Sequence, residues 1–582
     1  MATRAHRMSG RVAPSGPSAH AAPPLLAAMP ALTLIAMLGP VAAGLAGTLL
    51  PALGYLPAAG LTDWSTDAFA ALWAWPGLGA ATRLSLTTGL FATAGALGIV
   101  TLILAGWSGT RSFRLLERLL SPLLSVPHAA TAFGLAFLIS PSGWLARLTS
   151  PWATGWDRPP DLLIVQDPWG LAMTAGLVAK EMPFLLLMAL AALGQADAAR
   201  RMRVARSLGY GRVTGWLKTV FPAVYAQIRL PVYVVLAYSM SVVDVAMILG
   251  PSTPPPLSVQ IVIWMGDPEL QRRLVAAAGA LLQLGLVVGA LAAWRLGEMA
   301  VGRLGCLWAM NGGRGRRDAG LRYAGFAFGT LAALAVLASL ACLGLWSVAG
   351  FWGYPAPLPD TLDLQSWTRH LPGIAAAGGT TALIALAATL AALVLVTGCL
   401  EAEHRSGRAI TPRGMFLIYL PLLVPQTAFL PGLQTLLLTL GADTGLLPVI
   451  AAHLVFVLPY VFLSLGDPWR AWDGRNATVA AALGTSPAGV LFRIRLPMLL
   501  RPILTSAAVA IAVSVGQYLP TLLVGGGRVS TLTTEAVALA SGGDRRAIGV
   551  WGVAQTAAVF LPFALALALP ALIWRHRRGL HG

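Results

Sequence analysis

Two stretches of the sequence, far apart in the chain, share one spacing. Ala205-Arg206-Ser207-Leu208-Gly209 is followed, thirteen residues beyond its glycine, by Phe221-Pro222, and Ala480-Ala481-Ala482-Leu483-Gly484 is followed at the same interval by Leu496-Pro497. Alanine and leucine favour a short helix, glycine can take the left-handed turn that ends one, and proline fixes how the next helix starts. The pattern predicts a helix, a turn and a second short helix, pinned at both ends. Such a unit suits mechanical work rather than covalent chemistry. Ala205 and Ala480 are small enough to let a partner approach, and a rigid lever would pass that partner's motion to whatever follows Pro222 and Pro497. An amphipathic connector would explain a single copy; two copies with identical spacing favour the lever.

A second group of residues is conspicuous for standing in apolar surroundings. Lys180 and Glu181 fall within the apolar run 168–195, and Asp244 falls within 224–250. A charge at the centre of a lone membrane helix costs about 2.5–3.5 kcal/mol, so each needs a use. Consecutive helical residues point about 100° apart, so Lys180 and Glu181 cannot both face one lumen. Glu181 therefore either lines a pathway or joins Lys180 in interhelical pairs that fix packing. Asp244 lies in Ser241-Val242-Val243-Asp244, and the corresponding run of the second half holds Ser514-Val515-Gly516-Gln517. Asp244 and Gln517, with Ser241, are the stronger pathway candidates, against a packing role, and a carboxylate there would suit a cationic solute. His453 reads as a packing histidine, and the scattered Cys306, Cys342 and Cys399 as packing residues. No nucleophile, metal cluster or paired-carboxylate site suggests an enzyme. A Walker A loop needs glycine before lysine, but Ala179 precedes Lys180 and Leu217 precedes Lys218, the only lysines, so no nucleotide cofactor is expected on this chain.

The elements that must position these residues are transmembrane helices. Of the 582 residues, 57% are hydrophobic and 11% charged, with a mean hydropathy of +0.73, where soluble proteins carry about 25% charged residues. The expected solvent is lipid. Apolar runs of about 20 residues occur near 25–50, 79–106, 118–140, 168–195, 224–250 and 274–295, and again near 322–350, 375–399, 414–440, 444–466, 498–524 and 549–574. The net charge of +18 is spread in short runs between these segments, which excludes a nucleic-acid domain and instead orients the chain. Arg4, Arg7 and Arg11, Arg111 to Arg118, Arg200 to Lys218, Arg295 to Arg322 and Arg575 to Arg578 all fall on one side, the cytoplasm, if both termini do.

The second set of runs repeats the first. Gly54-Tyr55 matches Gly353-Tyr354, Pro76-Gly77 matches Pro372-Gly373, Val126-Pro127 matches Val424-Pro425, Pro183-Phe184 matches Pro459-Tyr460, and Leu257-Ser258-Val259-Gln260 matches Leu532-Thr533-Thr534-Glu535, all in one order. The expected fold is all-α, with about twelve transmembrane helices in two parallel six-helix repeats. The expected organisation is a disordered cytoplasmic tail (1–23), a first repeat (24–296, lever loop about 197–222), a linker (297–321), a second repeat (322–575, lever loop about 467–497) and a short tail (576–582). A proton-coupled secondary transporter shares such a layout, but does not need the duplicated loops.

The loops resemble the EAA loop of binding-protein-dependent ABC importer permeases: Glu-Ala-Ala, three residues, Gly, nine residues, Ile-x-Leu-Pro. The second has Ala480, Gly484, Ile494, Leu496 and Pro497 in register; the first keeps Ala205, Gly209 and Pro222 and has Phe221 for leucine. The acidic position holds Arg203 and Thr478, and the first alanine position Val204 and Val479. The resemblance implies a type I ABC importer transmembrane domain, MetI-like, in the bacterial inner membrane, with Ala205, Leu208, Gly209, Pro222, Ala480, Leu483, Gly484 and Pro497 coupling it to a separate ATPase, a homodimer that binds the ATP. It also implies a periplasmic solute-binding protein and a small-molecule substrate. Val243-Asp244-Val245 leading into Gly250-Pro251-Ser252-Thr253-Pro254, and Gly516-Gln517-Tyr518-Leu519-Pro520-Thr521, are similar to the fused double permeases for ferric iron and thiamine, the thiamine branch above all.

Overall fold

Hydrocarbon offers no water to backbone N–H and C=O groups, so a chain this apolar has to satisfy them inside helices. The computed structural model describes residues 24–573, apart from 124, 409 and 443–444; these are helices and connections, with isolated bridges at Leu56–Leu61 and Ala349–Leu362. The expected tails and their arginines lie outside the described residues.

The first half runs through α1 (Pro24–Ala52), α2 (Leu78–Trp107), α3 (Arg111–Leu123), α4 (His128–Ile139), α5 (Leu171–Gln195), the short α6 (Ala198–Ser207) and α7 (Arg212–Thr219), then α8 (Phe221–Ser241), α9 (Asp244–Leu249), α10 (Leu257–Met265) and α11 (Leu270–Met310). The second half repeats the order with α12 (Ala319–Ser347), α13 (Gln365–Ser406), α14 (Pro412–Leu423), α15 (Gln426–Thr439), α16 (Leu446–Arg470), the short α17 (Arg475–Ala482), α18 (Leu500–Val515), α19 (Leu519–Val524), α20 (Leu532–Ala538) and α21 (Arg545–Ile573). Among the described residues ten helices are long and apolar enough to cross a membrane, or up to twelve with two bent pairs.

Four of the expected spans are not continuous helices. Those at 118–140 and 414–440 break where Pro127 and Pro425 precede α4 and α15, and α14 and α15 meet at 79°. A proline has no N–H to give and pushes the residue before it out of the helical region. The spans at 224–250 and 498–524 break at Val242 and after Val515. There the freed carbonyls are recovered by side chains: Ser258 donates to the Val242 carbonyl at 3.0 Å, and Thr533 donates to that of Val515. The repeat thus reaches individual bonds. The N–H of Leu257 donates to Ser85 Oγ at 3.3 Å, and that of Leu532 donates to Thr381 Oγ1 at 3.0 Å.

The two repeats do not stand side by side. The opening helix of each packs on the other: α1 lies along α15 and α13, and α12 lies along α2 and α4. Glycines make both crossings close. A Cβ on Gly432 of α15 would strike the Gly44 carbonyl and Thr48 of α1, and one on Gly134 of α4 would strike the Ser339 carbonyl of α12. Thr48 also donates to the Ala428 carbonyl at 2.8 Å. Small residues of this kind let backbones approach where helices associate by packing rather than by exclusion from water. Gly432→Val must displace backbone, so it should cost about 1–3 kcal/mol or more and lower the thermal unfolding midpoint in detergent. Gly98→Ala, which meets open space, should be neutral or stabilising by about 1 kcal/mol at most.

Candidate functional site: two lever arms and a broken-helix core

Each lever loop folds as a short helix closed by a left-handed glycine, Gly209 at φ 79° and Gly484 at φ 78°. The bonds match in both. Tyr210 N–H reaches the Ala205 carbonyl (3.1 Å) and Gly209 N–H that of Arg206 (2.9 Å); Thr485 N–H reaches the Ala480 carbonyl (2.9 Å) and Gly484 N–H that of Ala481 (3.0 Å). This is the Schellman arrangement, in which an L side chain at the glycine would be strained. Pro222 sits in the first turn of α8, where its missing N–H costs nothing. Pro497 lies in a short turn before α18, and the second arm runs into that helix with a bend of 73°.

The small residues point the other way from the sequence expectation. Ala205 and Ala480 are buried, and Ala205 packs against Gly215 of α7, where an added Cβ would sit 3.2 Å away. Their size serves the fold of the arm itself. The large apolar side chains exposed on the arms are Val204 and Leu208 on one and Val479 and Leu483 on the other, Leu483 being 81% exposed.

The second constellation gathers at the breaks. Lys180 Nζ donates to the Leu123 carbonyl at the end of α3 (3.0 Å), while Glu181 Oε1 meets His128 Nε2 at the start of α4 (3.1 Å). Adjacent side chains on α5 thus hold the two sides of one break, which is the packing reading of the pair. Asp244, buried, opens α9 within electrostatic reach of His128, Tyr238 and Tyr518. His128 lies against Tyr238, with ring centroids 4.9 Å apart, and Tyr460 of the second half is within electrostatic reach of Tyr238 and Glu181. Gln517 accepts from Gln426 Nε2 at 3.3 Å. Ser241 turns back to the Ala237 carbonyl (2.7 Å), so it is not presented to this group.

Sequence reasoning missed His128 and Gln426, although each directly follows a proline used to align the repeats. The residue after the shared Val-Pro pair was the signal. His453 is a packing residue as expected, with Ser514 Oγ and Thr521 Oγ1 each 2.8 Å from its ring nitrogens, tying α16 across the second-half break. Cys342 is buried and Cys399 half-buried, but Cys306 is exposed.

The comparisons with known proteins bear on this architecture. Residues 395–573, from the end of α13 to α21, match the family described as binding-protein-dependent transport system inner membrane component. The chain is 30% identical over 556 residues to the inner membrane ABC transporter permease protein YnjC of Escherichia coli K12, covering 94% of this chain and 98% of that one. It belongs to the ABC transporter permease family. The permease is also similar over shorter stretches to the putrescine transport system permease protein PotI of E. coli K12, 32% identical over 27% of this chain and 56% of that one. The molybdenum transport system permease protein ModB of Mycobacterium tuberculosis is 30% identical over 29% of this chain and 66% of its own. No solved structure matches.

Within the matched segment, the second arm of the permease is rooted in a buried ion pair. Arg495 donates to Glu401 Oε2 (2.8 Å) and to the Trp469 carbonyl (3.1 Å), and its guanidinium lies 4.7 Å from the rings of both Trp469 and Trp472. On the neighbouring turn, hydrogen bonds from Arg475 hold the Asp473 carboxyl below its usual range. Removing one member of a buried pair leaves the other charge unpaired, which costs about 3–5 kcal/mol, while replacing both with apolar groups can be nearly neutral. Glu401 Oε1 also accepts from Arg405 Nε (2.8 Å), so Glu401→Ala should lower unfolding stability by about that amount, and adding Arg495→Met together with Arg405→Met should recover most of it.

Proposed function

We propose that this permease is the membrane-spanning part of an ATP-driven importer: two ATPase subunits dock on the arms around Val204–Leu208 and Val479–Leu483, and a binding protein delivers a small cationic solute to the opposite face. The observation that carries this is the pair of matched arms, each ended by an obligatory left-handed glycine and joined directly to the broken helix of its half. ATP bound by the ATPase would draw the arms together and rock two bundles against each other, each made of one half together with the opening helix of the other. The exchange of α1 and α12 supports a body that moves as two interlocked units. The arginine-rich loops support an inner-membrane placement with arms and termini in the cytoplasm. Family membership favours this over a proton-coupled secondary transporter.

The path is proposed to pass the two breaks, with Asp244 and Gln517 at its sides and Glu181 acting through His128. A carboxylate among tyrosine rings suits an organic cation, which attracts both the charge and the ring faces. Thiamine and polyamines fit that description. The relatives reported above name putrescine and molybdenum rather than thiamine or iron, so the substrate rests on this chemistry and not on the names.

The permease reconstituted in vesicles with its cognate ATPase and binding protein should take up solute only with ATP. Gly484→Val should abolish stimulation of ATPase activity while leaving the membrane domain folded; retained coupling would reject the arm assignment. Asp244→Asn should reduce uptake of cations from a panel of thiamine, putrescine, spermidine, ferric iron and molybdate by about tenfold, an effect of about 1.4 kcal/mol, with assembly unchanged. Unchanged cation uptake, or uptake of molybdate instead, would remove Asp244 from the path.

A further inference from the structure

The two arms have matching backbones but different surroundings. The segment joining the halves folds back along the first arm and is bonded to it from end to end. Gly211 N–H donates to the Arg314 carbonyl (2.8 Å), Val213 N–H to Asp318 Oδ2 (2.6 Å), Lys218 Nζ to the Gly313 carbonyl (2.8 Å) and Arg316 Nε to the Gly209 carbonyl (3.4 Å). Lys218 also sits over the ring of Trp308, at 4.6 Å. Asp318 thereby caps the start of α7 while standing immediately before α12, so arm, linker and the exchanged helix form one continuous body.

This places charge at the tip. A Cβ on Gly209 would lie 3.2 Å from Arg316 Nη2 and 3.5 Å from Arg314 Nη1, whereas one on Gly484 meets nothing among the described residues within 4 Å. The first arm presents exposed Arg203 and Arg206 beside the exposed Arg314 and Arg316. The second presents Val479, Leu483 and Phe492, with the exposed Arg493 next to Phe492 and Arg475 already paired to Asp473 at 2.6 Å, so it carries fewer free guanidiniums than the first.

We infer that the linker is part of the first arm's docking surface, and that this arm fits an ATPase face with an acidic rim, whereas the second arm, with fewer free charges, docks mainly through apolar contact. The inference rests on the reading that the arms dock the ATPase. It follows from continuity: the arginines flank the same turn whose exposed Leu208 faces the partner, and anionic groups on that partner would meet guanidiniums that have no acid of their own chain beside them in the salt bridges of the described residues. A homodimeric ATPase would then grip two unlike arms, and salt would loosen one grip more than the other.

The test uses the full chain with its cognate ATPase and a photo-crosslinking residue at position 208 or, separately, at position 483. Both positions should crosslink in the otherwise native chain; absence at both would sink the docking reading and this inference with it. Arg314→Gln with Arg316→Gln keeps the main-chain bonds of the linker. It should lower the yield at position 208 by roughly two- to tenfold, the range for a pair of exposed charge contacts, and leave that at 483 unchanged. Raising the salt should reproduce the same selectivity. Equal loss at both positions, or no loss at 208, overturns the inference. So does an ATPase rate that follows the anionic phospholipid content of nanodiscs through these arginines while the crosslinks stay constant, since the linker would then be reading the membrane.

Discussion

A broken helix inside a membrane is tolerable only where its loose backbone groups find partners, and the rest of the permease follows from how that requirement is met. In each half a hydroxyl from the next helix takes the loose carbonyl, Ser258 for Val242 and Thr533 for Val515. In the first half Lys180 does the same for Leu123. Because the breaks are satisfied from within, they can stand beside a passage without being filled by water or lipid. They also gather polar side chains among the packed helices. His128 and Gln426 stand at the head of α4 and α15, and the chemistry of the two halves diverges there: an ionisable group of His128, Glu181 and Asp244 on one side, a pair of amides on the other.

The arms turn the same geometry into mechanics. A helix closed by a left-handed glycine cannot extend, so force applied at Leu208 or Leu483, as the proposed docking requires, would be passed on rather than absorbed. On the second arm it would pass the Glu401–Arg495 pair and a bend of 73° into α18. On the first it would pass through α7 into α8; at the start of α7 burial and the nearby Arg206 and Arg322 hold the Arg212 guanidinium below its usual pKa. Like charges brought that close mark a crowded joint.

The apolar helices and their order, the repeat and the fold of both lever loops were legible in the sequence because each leaves a local trace: an apolar run, a proline, a glycine at fixed spacing. The breaks at Pro127 and Pro425 were equally written there, but an apolar count reads across them. What could not be read was anything depending on a distant partner. Ala205 looked like a surface for another protein because its neighbour Gly215 belongs to a separate helix. Ser241 looked like a pathway residue because its bond to Ala237 is a conformational choice, and Glu181 stayed ambiguous because His128 lies on another helix. The exchange of opening helices left no mark except small residues, and glycine is plentiful throughout the chain.

That exchange bears on how the protein is made. The groove that receives α1 is built from α13 and α15, which are synthesised hundreds of residues later, so the oldest part of the chain must wait in lipid with Gly44 and Thr48 uncovered until the youngest half arrives. Two separate polypeptides would have to find one another during that wait. Tying them together ensures that the missing half is always within a linker's reach, and makes assembly independent of how many copies the cell holds.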